Sequence, residues 1–273
     1  MTGRKSSPSR PREPVFKATL EDPQFATTLA RGLEILRCFS PQAPELGNKD
    51  FVRQTGLPKA TVSRFTYTLT RLGYLRQTPS ETKYRLGAAV LTLGYPLLAT
   101  LYVRQAARLP MNELALELGG SIALGIRNRL NMVYIETSRA SLSTAPPFTE
   151  IGYAHPIAAT SMGRAYLAAC EEDVRAAILN EMRVTTPNDW RRYRSSIESA
   201  LSDFPRKGFC VSVDFFRAGI YGVAVPMRQA INGEILVFNC AVYADSTTRS
   251  DLDRRIGPRL VRLCRAVENM LHP

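Results

Sequence analysis

Apolar residues recur along this chain with two different periods, and the periods divide it into helices and strands. From Phe25 to Phe39, residues Leu29, Leu33, Leu36 and Phe39 repeat at helical spacing, and Ser40-Pro41 ends the segment because a residue before proline is pushed out of helical geometry. Asn48 is expected to cap a second helix ending at Gly56, where a glycine permits a left-handed last turn. Pro58 suits the first turn of a third helix, since the N–H it lacks would have no intrahelical acceptor there. In that helix Val62, Phe65, Leu69 and Leu72 form one apolar stripe, while Ala60, Ser63, Arg64, Tyr67 and Arg71 occupy the opposite face and Lys59 its rim. Tyr74–Arg76 and Lys83–Leu86 then read as short strands around the turn Thr78-Pro79-Ser80-Glu81-Thr82.

Beyond this segment, Val90 to Leu109 reads as a long helix that is apolar on several faces and kinked at Gly94 and Pro96. A helix so apolar needs burial, and a second copy of itself is the expected partner. Met111–Leu118 reads as helix. Ile122–Ile126 and Met132–Glu136 read as strands around Asn128-Arg129-Leu130-Asn131. Three helices follow, at Thr160–Cys170, Glu171–Glu181 and Trp190–Phe204, then three strands at Phe209–Val213, Tyr221–Met227 and Ile235–Val242. Ser250 to Leu271 closes the chain with Ile256, Leu260, Leu263, Val267 and Met270 on one face. The expected class is α+β: an N-terminal winged helix-turn-helix, a linker helix and a sheet flanked by helices.

Charge sharpens this division. The net charge is +12, and residues 1–110 hold 17 Lys/Arg against 7 Asp/Glu, whereas residues 111–273 hold 19 against 17. A basic front joined to a nearly neutral rear implies that the front binds a polyanion. Helix, stop, strand, turn and strand in this order describe a winged helix-turn-helix, so double-stranded DNA is the expected partner. The N-terminal end of a recognition helix enters the major groove. That makes Lys59, Ala60, Thr61, Ser63, Arg64 and Tyr67 the candidate contacts on the helix, with Arg76, Lys83 and Arg85 on the hairpin.

Other chemistry is sparse. Cys38, Cys170, Cys210, Cys240 and Cys264 are dispersed among apolar neighbours, as reduced thiols of a cytoplasmic protein would be. With His155 and His272 the only histidines, no metal site and no cofactor is expected. No apolar stretch is long enough to span a bilayer, so no membrane partner is expected, and the Arg/Ser/Pro-rich start lacks the apolar core of a secretory signal. The expected domains are a disordered basic arm (1–22), a winged helix-turn-helix (23–88), a linker and dimerisation helix (89–109) and an effector-binding domain (110–273).

Several motifs in this order resemble the IclR family of bacterial transcription regulators. They are Leu29-Ala30-Arg31-Gly32-Leu33, Thr55 to Val62, Tyr84-Arg85-Leu86-Gly87, Ala159-Thr160-Ser161-Met162-Gly163-Arg164-Ala165, Arg206-Lys207-Gly208-Phe209 and Gly219 to Pro226. Ser161 to Ala165 and Leu93-Gly94-Tyr95 are similar to the branch controlling aromatic-acid catabolism (protocatechuate, 4-hydroxybenzoate and β-ketoadipate regulators). The resemblance implies a GAF/PAS-like effector domain, homodimers that often pair into tetramers, and a small organic-acid or aromatic-acid effector. It also implies effector contacts at Ser161, Met162, Ser212, Asp214, Gly222, Asn239 and Ala241. A helix starting at Ser161 would suit a carboxylate. The chain departs from the family at Val213-Asp214-Phe215-Phe216, which keeps a single acid, and at Ala241, where Ser or Thr is usual. Such a pocket suits a larger or more apolar ligand, or none.

Two other classes compete with a ligand-responsive regulator of a near-palindromic operator. One is a constitutive DNA-binding protein without a ligand. The other is a hydrolase using Ser161 with His155 and Asp214, although no nucleophile-elbow pattern surrounds Ser161.

Overall fold

The computed structural model describes residues 23–79, 82–141, 150–213 and 218–271. The expected basic arm, Ser80 and Glu81 of the hairpin turn, Asp214 to Phe216, and His272 all lie outside the described residues. The chain divides into two compact units, Met1–Ala99 and Thr100–Pro273.

The first unit builds a small core from three helices and a hairpin. Helices α1 (Thr27–Arg37), α2 (Asn48–Thr55) and α3 (Lys59–Arg71) precede strands β1 (Leu75–Gln77) and β2 (Tyr84–Leu86). The strands pair antiparallel, with Arg76 opposite Arg85. Leu46 extends the hairpin through a bridge to Tyr84. Ile35, Phe39, Leu46, Phe51, Val62, Leu69 and Leu75 form the core, in which the rings of Phe39 and Phe51 meet edge-on at 5.6 Å. Gly56 adopts φ 70°, a left-handed turn that ends α2 and aims the chain into α3.

Four details of this unit differ from expectation. In α1 the buried residues are Ala30 and Ile35, and Leu29 and Leu33 stand exposed: the core occupies the adjoining stripe of the helix. Asn48 is the first residue of α2 rather than its cap. The Gly47 N–H donates instead to the Asp50 carboxylate at 3.0 Å, and this frees the Asn48 amide to reach α3. The buried line of α3 is Val62, Thr66 and Leu69, while Leu72 is exposed. Thr66 tolerates burial because its hydroxyl donates to the Val62 carbonyl at 3.1 Å. The expected helix 90–109 is two helices, α4 (Ala89–Thr100) and α5 (Val103–Leu118). Helix α4 runs through Gly94 and Pro96, and the break falls at Leu101-Tyr102. Leu101 and Val103 are both buried. Residues two apart lie on nearly opposite sides of a continuous helix, so burying both favours an interruption between them.

In the second unit a six-stranded antiparallel sheet has the order β5-β4-β3-β8-β7-β6. Its strands are β3 (Ser121–Asn128), β4 (Asn131–Arg139), β5 (Ala154–Pro156), β6 (Cys210–Val213), β7 (Ile220–Pro226) and β8 (Val237–Tyr243). Helices α6 (Ser161–Ala169), α7 (Glu172–Thr185) and α8 (Pro187–Lys207) cover the core built on Ala123, Met132, Tyr134, Ala224 and Val237. The alternate residues of the same strands are also buried, under α5 and α10 (Gly257–Leu271). Burial on both faces explains why these strands read as apolar runs. Strand β5 went unanticipated: it is three residues long and ends in proline, which an edge strand tolerates. The last helical stretch is also less regular than expected. A short α9 (Arg249–Asp251) and a π-helical turn at Leu252–Ile256 precede α10, and Met270 is exposed.

A bulge in the β3–β4 ladder at Leu124/Gly125 pairs Leu124 with Glu136 and Gly125 with Tyr134. Without it, Tyr134 and Glu136 would share a face. With it, Tyr134 joins the core beneath α6, while Glu136 turns to α5 and takes Arg104 at 3.1 Å and Arg108 at 3.0 Å.

Candidate nucleic-acid interface and effector site

The geometry of α3 follows from its two faces. Val62, Thr66 and Leu69 anchor it, which leaves Lys59, Ala60, Ser63, Arg64, Tyr67 and Arg71 exposed and Thr61 half-buried at the edge. Asn48 ties α3 to α2: its amide donates to the Ser63 hydroxyl at 3.4 Å, and its carbonyl oxygen lies 3.4 Å from the Thr66 hydroxyl. Asn48 escaped the sequence reading because an Asn before a helix is first read as a cap. Lys59, Arg64 and Arg71 have no ion-pair partner among the described residues, so their charge is available to a polyanion.

On the hairpin, Arg76 and Lys83 are exposed and likewise unpaired among the described residues. Arg85 differs. Its guanidinium pairs with the Glu45 carboxylate, so part of its charge is spent within the fold. Arg53 is similarly engaged, with Asp50 at 2.8 Å.

In the second unit the first residues of α6 meet the sheet. Thr160 caps the helix, its hydroxyl accepting from the Gly163 N–H at 3.1 Å. The N–H groups of Ser161 and Met162 have no intrahelical acceptor by position, which makes this end electropositive. Ser161 is buried, and its hydroxyl donates to the Asn239 side-chain oxygen at 3.0 Å. The Asn239 amide nitrogen donates in turn to the Tyr134 hydroxyl at 3.2 Å. Burial holds the Tyr134 phenol well above its usual titration range, so it remains protonated. A Cβ on Gly222 would come within 2.7 Å of the Ser161 hydroxyl oxygen, so only glycine lets this strand approach the helix start. Gly222 is paired with Ala241 on one side and Ser212 on the other. The fold thus brings Ser161, Gly222 and Asn239 into contact and sets Ser212 and Ala241 beside them. Met162 faces Gly125 instead, where a Cβ would meet its sulfur at 2.8 Å. Tyr134 was missed by the sequence reading because the bulge that aims it has no signature in a strand pattern.

Arg164 holds α6 in place. It is 2% exposed, donating to the Val211 carbonyl at 2.8 Å and to Ser196 on α8 at 3.1 Å. Desolvation lowers its pKa to about 10, which leaves it cationic at neutral pH. Nucleophilic chemistry finds no support at Ser161. Its partner Asn239 is an amide and cannot act as a base, and the His155 ring is packed at a tilt against Tyr134 at 4.5 Å and Tyr153 at 4.8 Å. Among the described residues no group of His, Cys, Asp and Glu could hold a metal ion, and no helix is long and apolar enough to cross a membrane.

Comparison with known proteins accounts for both units. Residues 28–79 match the IclR helix-turn-helix domain, and residues 96–267 match the bacterial transcriptional regulator IclR C-terminal domain. The HTH-type transcriptional regulator TsaQ1/TsaQ2 of Comamonas testosteroni is 34% identical over 242 residues, 88% of this chain and 87% of its own. The crystal structure of an IclR family transcriptional regulator from Brucella abortus aligns with a TM-score of 0.81 at 40% identity, covering 92% of this chain and 94% of that one. An IclR homolog from Microbacterium hydrocarbonoxydans, complexed with 4-hydroxybenzoate, shares the fold at a TM-score of 0.69 and 20% identity, covering 89% and 98% of the two chains. A basic helix-turn-helix and an antiparallel sheet domain, each matched to its counterpart along most of the chain, place this protein in the IclR family of DNA-binding transcriptional regulators.

Proposed function

We infer that this regulator reads its operator through the exposed face of α3 and answers to a small carboxylate bound beside Ser161. The observation that carries the DNA reading is the set of uncommitted cations, Lys59 and Arg64 on α3 with Arg76 and Lys83 on the hairpin, on a helix whose other face is anchored in the core. Lys59, Ala60, Ser63, Arg64 and Tyr67 are the base-side contacts and Thr61 borders them, while Arg76 and Lys83 take phosphates. Arg85 contributes less because Glu45 holds it.

Two copies bind a near-palindromic operator, with half-site centres about 34 Å apart or a multiple of that. Helix α4 supports self-association: none of its residues is buried, and Leu91, Leu93, Tyr95 and Leu97 are exposed. Residues 23–88 form the DNA-binding domain, 89–109 the dimerising linker and 110–273 the effector domain of a cytoplasmic, non-enzymatic protein.

The effector reading rests on the contact of Ser161, Asn239 and Gly222 at a helix start. Ser212, Ala241 and Met162 border it. The 4-hydroxybenzoate named for the Microbacterium homolog makes benzoates the first acids to test. A ligand of the folded state should raise the melting temperature, and keep raising it as its concentration passes its Kd, the stabilisation reaching about 2.7 kcal/mol at 100-fold over Kd. A thermal-shift series with benzoate, 4-hydroxybenzoate and short organic acids checks this. A flat response to every acid would favour the constitutive DNA-binding alternative.

A further inference from the structure

Helix α8 ends at Gly208, whose left-handed φ of 73° turns the chain straight back into β6, the last strand of the sheet. On α8 the residues Arg192, Ser195, Ser199, Asp203 and Lys207 recur at helical spacing and form one polar stripe. The stripe is one wall of a cleft of about 500 Å3, within the range of small-molecule sites. Phe209, Val211 and Val213 of the β6 segment form an apolar wall against it, and Arg249 and Asp253 of α9 and the π-helical turn close the third side. Gly257, just past that turn, admits the Phe209 ring, which a Cβ there would strike. Ser161, Gly222 and Asn239 are not among the walls, so this cleft is separate from the cluster at the start of α6.

The charges in the cleft do not cancel. Four cations, Arg164, Arg192, Lys207 and Arg249, meet two carboxylates, Asp203 and Asp253. Lys207 holds both acids, each at 3.2 Å, and so ties the end of α8 to the π-helical turn. Arg192 and Arg249 form no ion pair among the described residues, and the hydroxyls of Ser195 and Ser199 lie on successive turns beside them. Guanidinium N–H groups only donate, and serine hydroxyls donate readily, so the complement is an anion with several oxygens. A phosphate monoester carries close to two negative charges at neutral pH, which matches an excess of two cations better than a single carboxylate does. A peptide strand added to the edge of β6 fits less well. The Val211 carbonyl already accepts from Arg164 at 2.8 Å, so an added strand would find that acceptor taken.

We propose that this cleft is a second ligand site and takes a small phosphate monoester: the phosphoryl group lies between Arg192 and Arg249 and accepts from Ser195 and Ser199, and the organic body rests on Phe209, Val211 and Val213. The site stands on its own walls and charges and does not depend on the reading of Ser161.

Titration calorimetry on the full-length protein with phenyl phosphate and inorganic phosphate, each into the millimolar range, tests the proposal. Wild type should bind phenyl phosphate, and inorganic phosphate more weakly, because the latter leaves the apolar wall unused. Arg192→Gln and Arg249→Gln should each weaken phenyl phosphate about tenfold, the effect of losing a hydrogen bond between charged groups, and together they should abolish measurable binding. Both side chains are exposed, so the variants should keep the wild-type melting temperature. Arg191→Gln, an exposed arginine of α8 outside the cleft, should bind as wild type does. No binding of phenyl phosphate by the wild type overturns the proposal, as does binding that survives in the double variant. A loss of the same size in Arg191→Gln overturns it too, by showing attraction to the general surface charge. Loss in Ser161→Ala with none in the double variant would move the anion to the start of α6 and overturn the assignment to this cleft. Equal affinity for the two phosphates would overturn the role given to the apolar wall.

Discussion

Replacing Glu136 by alanine is expected to lower the stability of the second unit by about 3 kcal/mol, the low end of the range for stranding one member of a buried ion pair. The Glu136 carboxylate is buried and holds two guanidiniums, Arg104 at 3.1 Å and Arg108 at 3.0 Å. The Arg108 side chain is 60% exposed and can turn to water when its partner goes. That of Arg104 is 12% exposed and cannot, so most of the penalty comes from the loss of its carboxylate partner away from water. A paired replacement separates charge from packing. Glu136→Leu with Arg104→Met should recover much of the loss, because apolar residues of similar volume often substitute for a buried pair. Trp190, the single tryptophan, lies on α8 of this unit, so its fluorescence in urea reports the transition directly. An unchanged midpoint for Glu136→Ala would show that the triad does not hold α5 to the sheet.

Arg64→Ala is expected to weaken binding to the cognate operator by about 1–3 kcal/mol, and to do so mainly by relaxing base preference. Arg64 projects from the exposed face of α3 on the turn above Ala60, and no carboxylate neutralises it among the described residues. A bidentate contact with guanine is the commonest use of such an arginine. The fold should survive, since the side chain is exposed and the anchoring residues Val62, Thr66 and Leu69 are untouched. Fluorescence anisotropy on cognate and scrambled duplexes at fixed salt separates the outcomes. A loss of equal size on both duplexes would assign Arg64 to phosphate instead of base.

Much of this structure was legible in the sequence for identifiable reasons. Gly56, Pro58 and the alternating faces of α3 are local signals, and the structure places the exposed face where that alternation implies. Local reasoning failed where a polar residue took an apolar place. Thr66 substitutes for a hydrophobe by bonding to its own helix, which moves the stripe away from Leu72. It failed again where an element must serve a distant neighbour, as at Asn48, which bonds across to α3. On the sheet, Gly222 and Asn239 came from family resemblance. Their contact with Ser161 depends on strand order β3-β8-β7, which no single strand encodes. Tyr134 and Glu136 depend on a one-residue bulge. Register between strands far apart in sequence is a tertiary property, so these residues become visible only in the folded chain.

The central claim is that the exposed face of α3 enters the major groove of duplex DNA. Methylation interference at guanine N7, an atom reached only from that groove, tests it most directly. The account predicts that methylated guanines in two half-sites, centred about one helical turn or a multiple apart, block binding of the wild-type protein. It also predicts that Arg64→Ala loses sensitivity at one guanine in each half-site. Binding indifferent to N7 methylation throughout the protected region would contradict it.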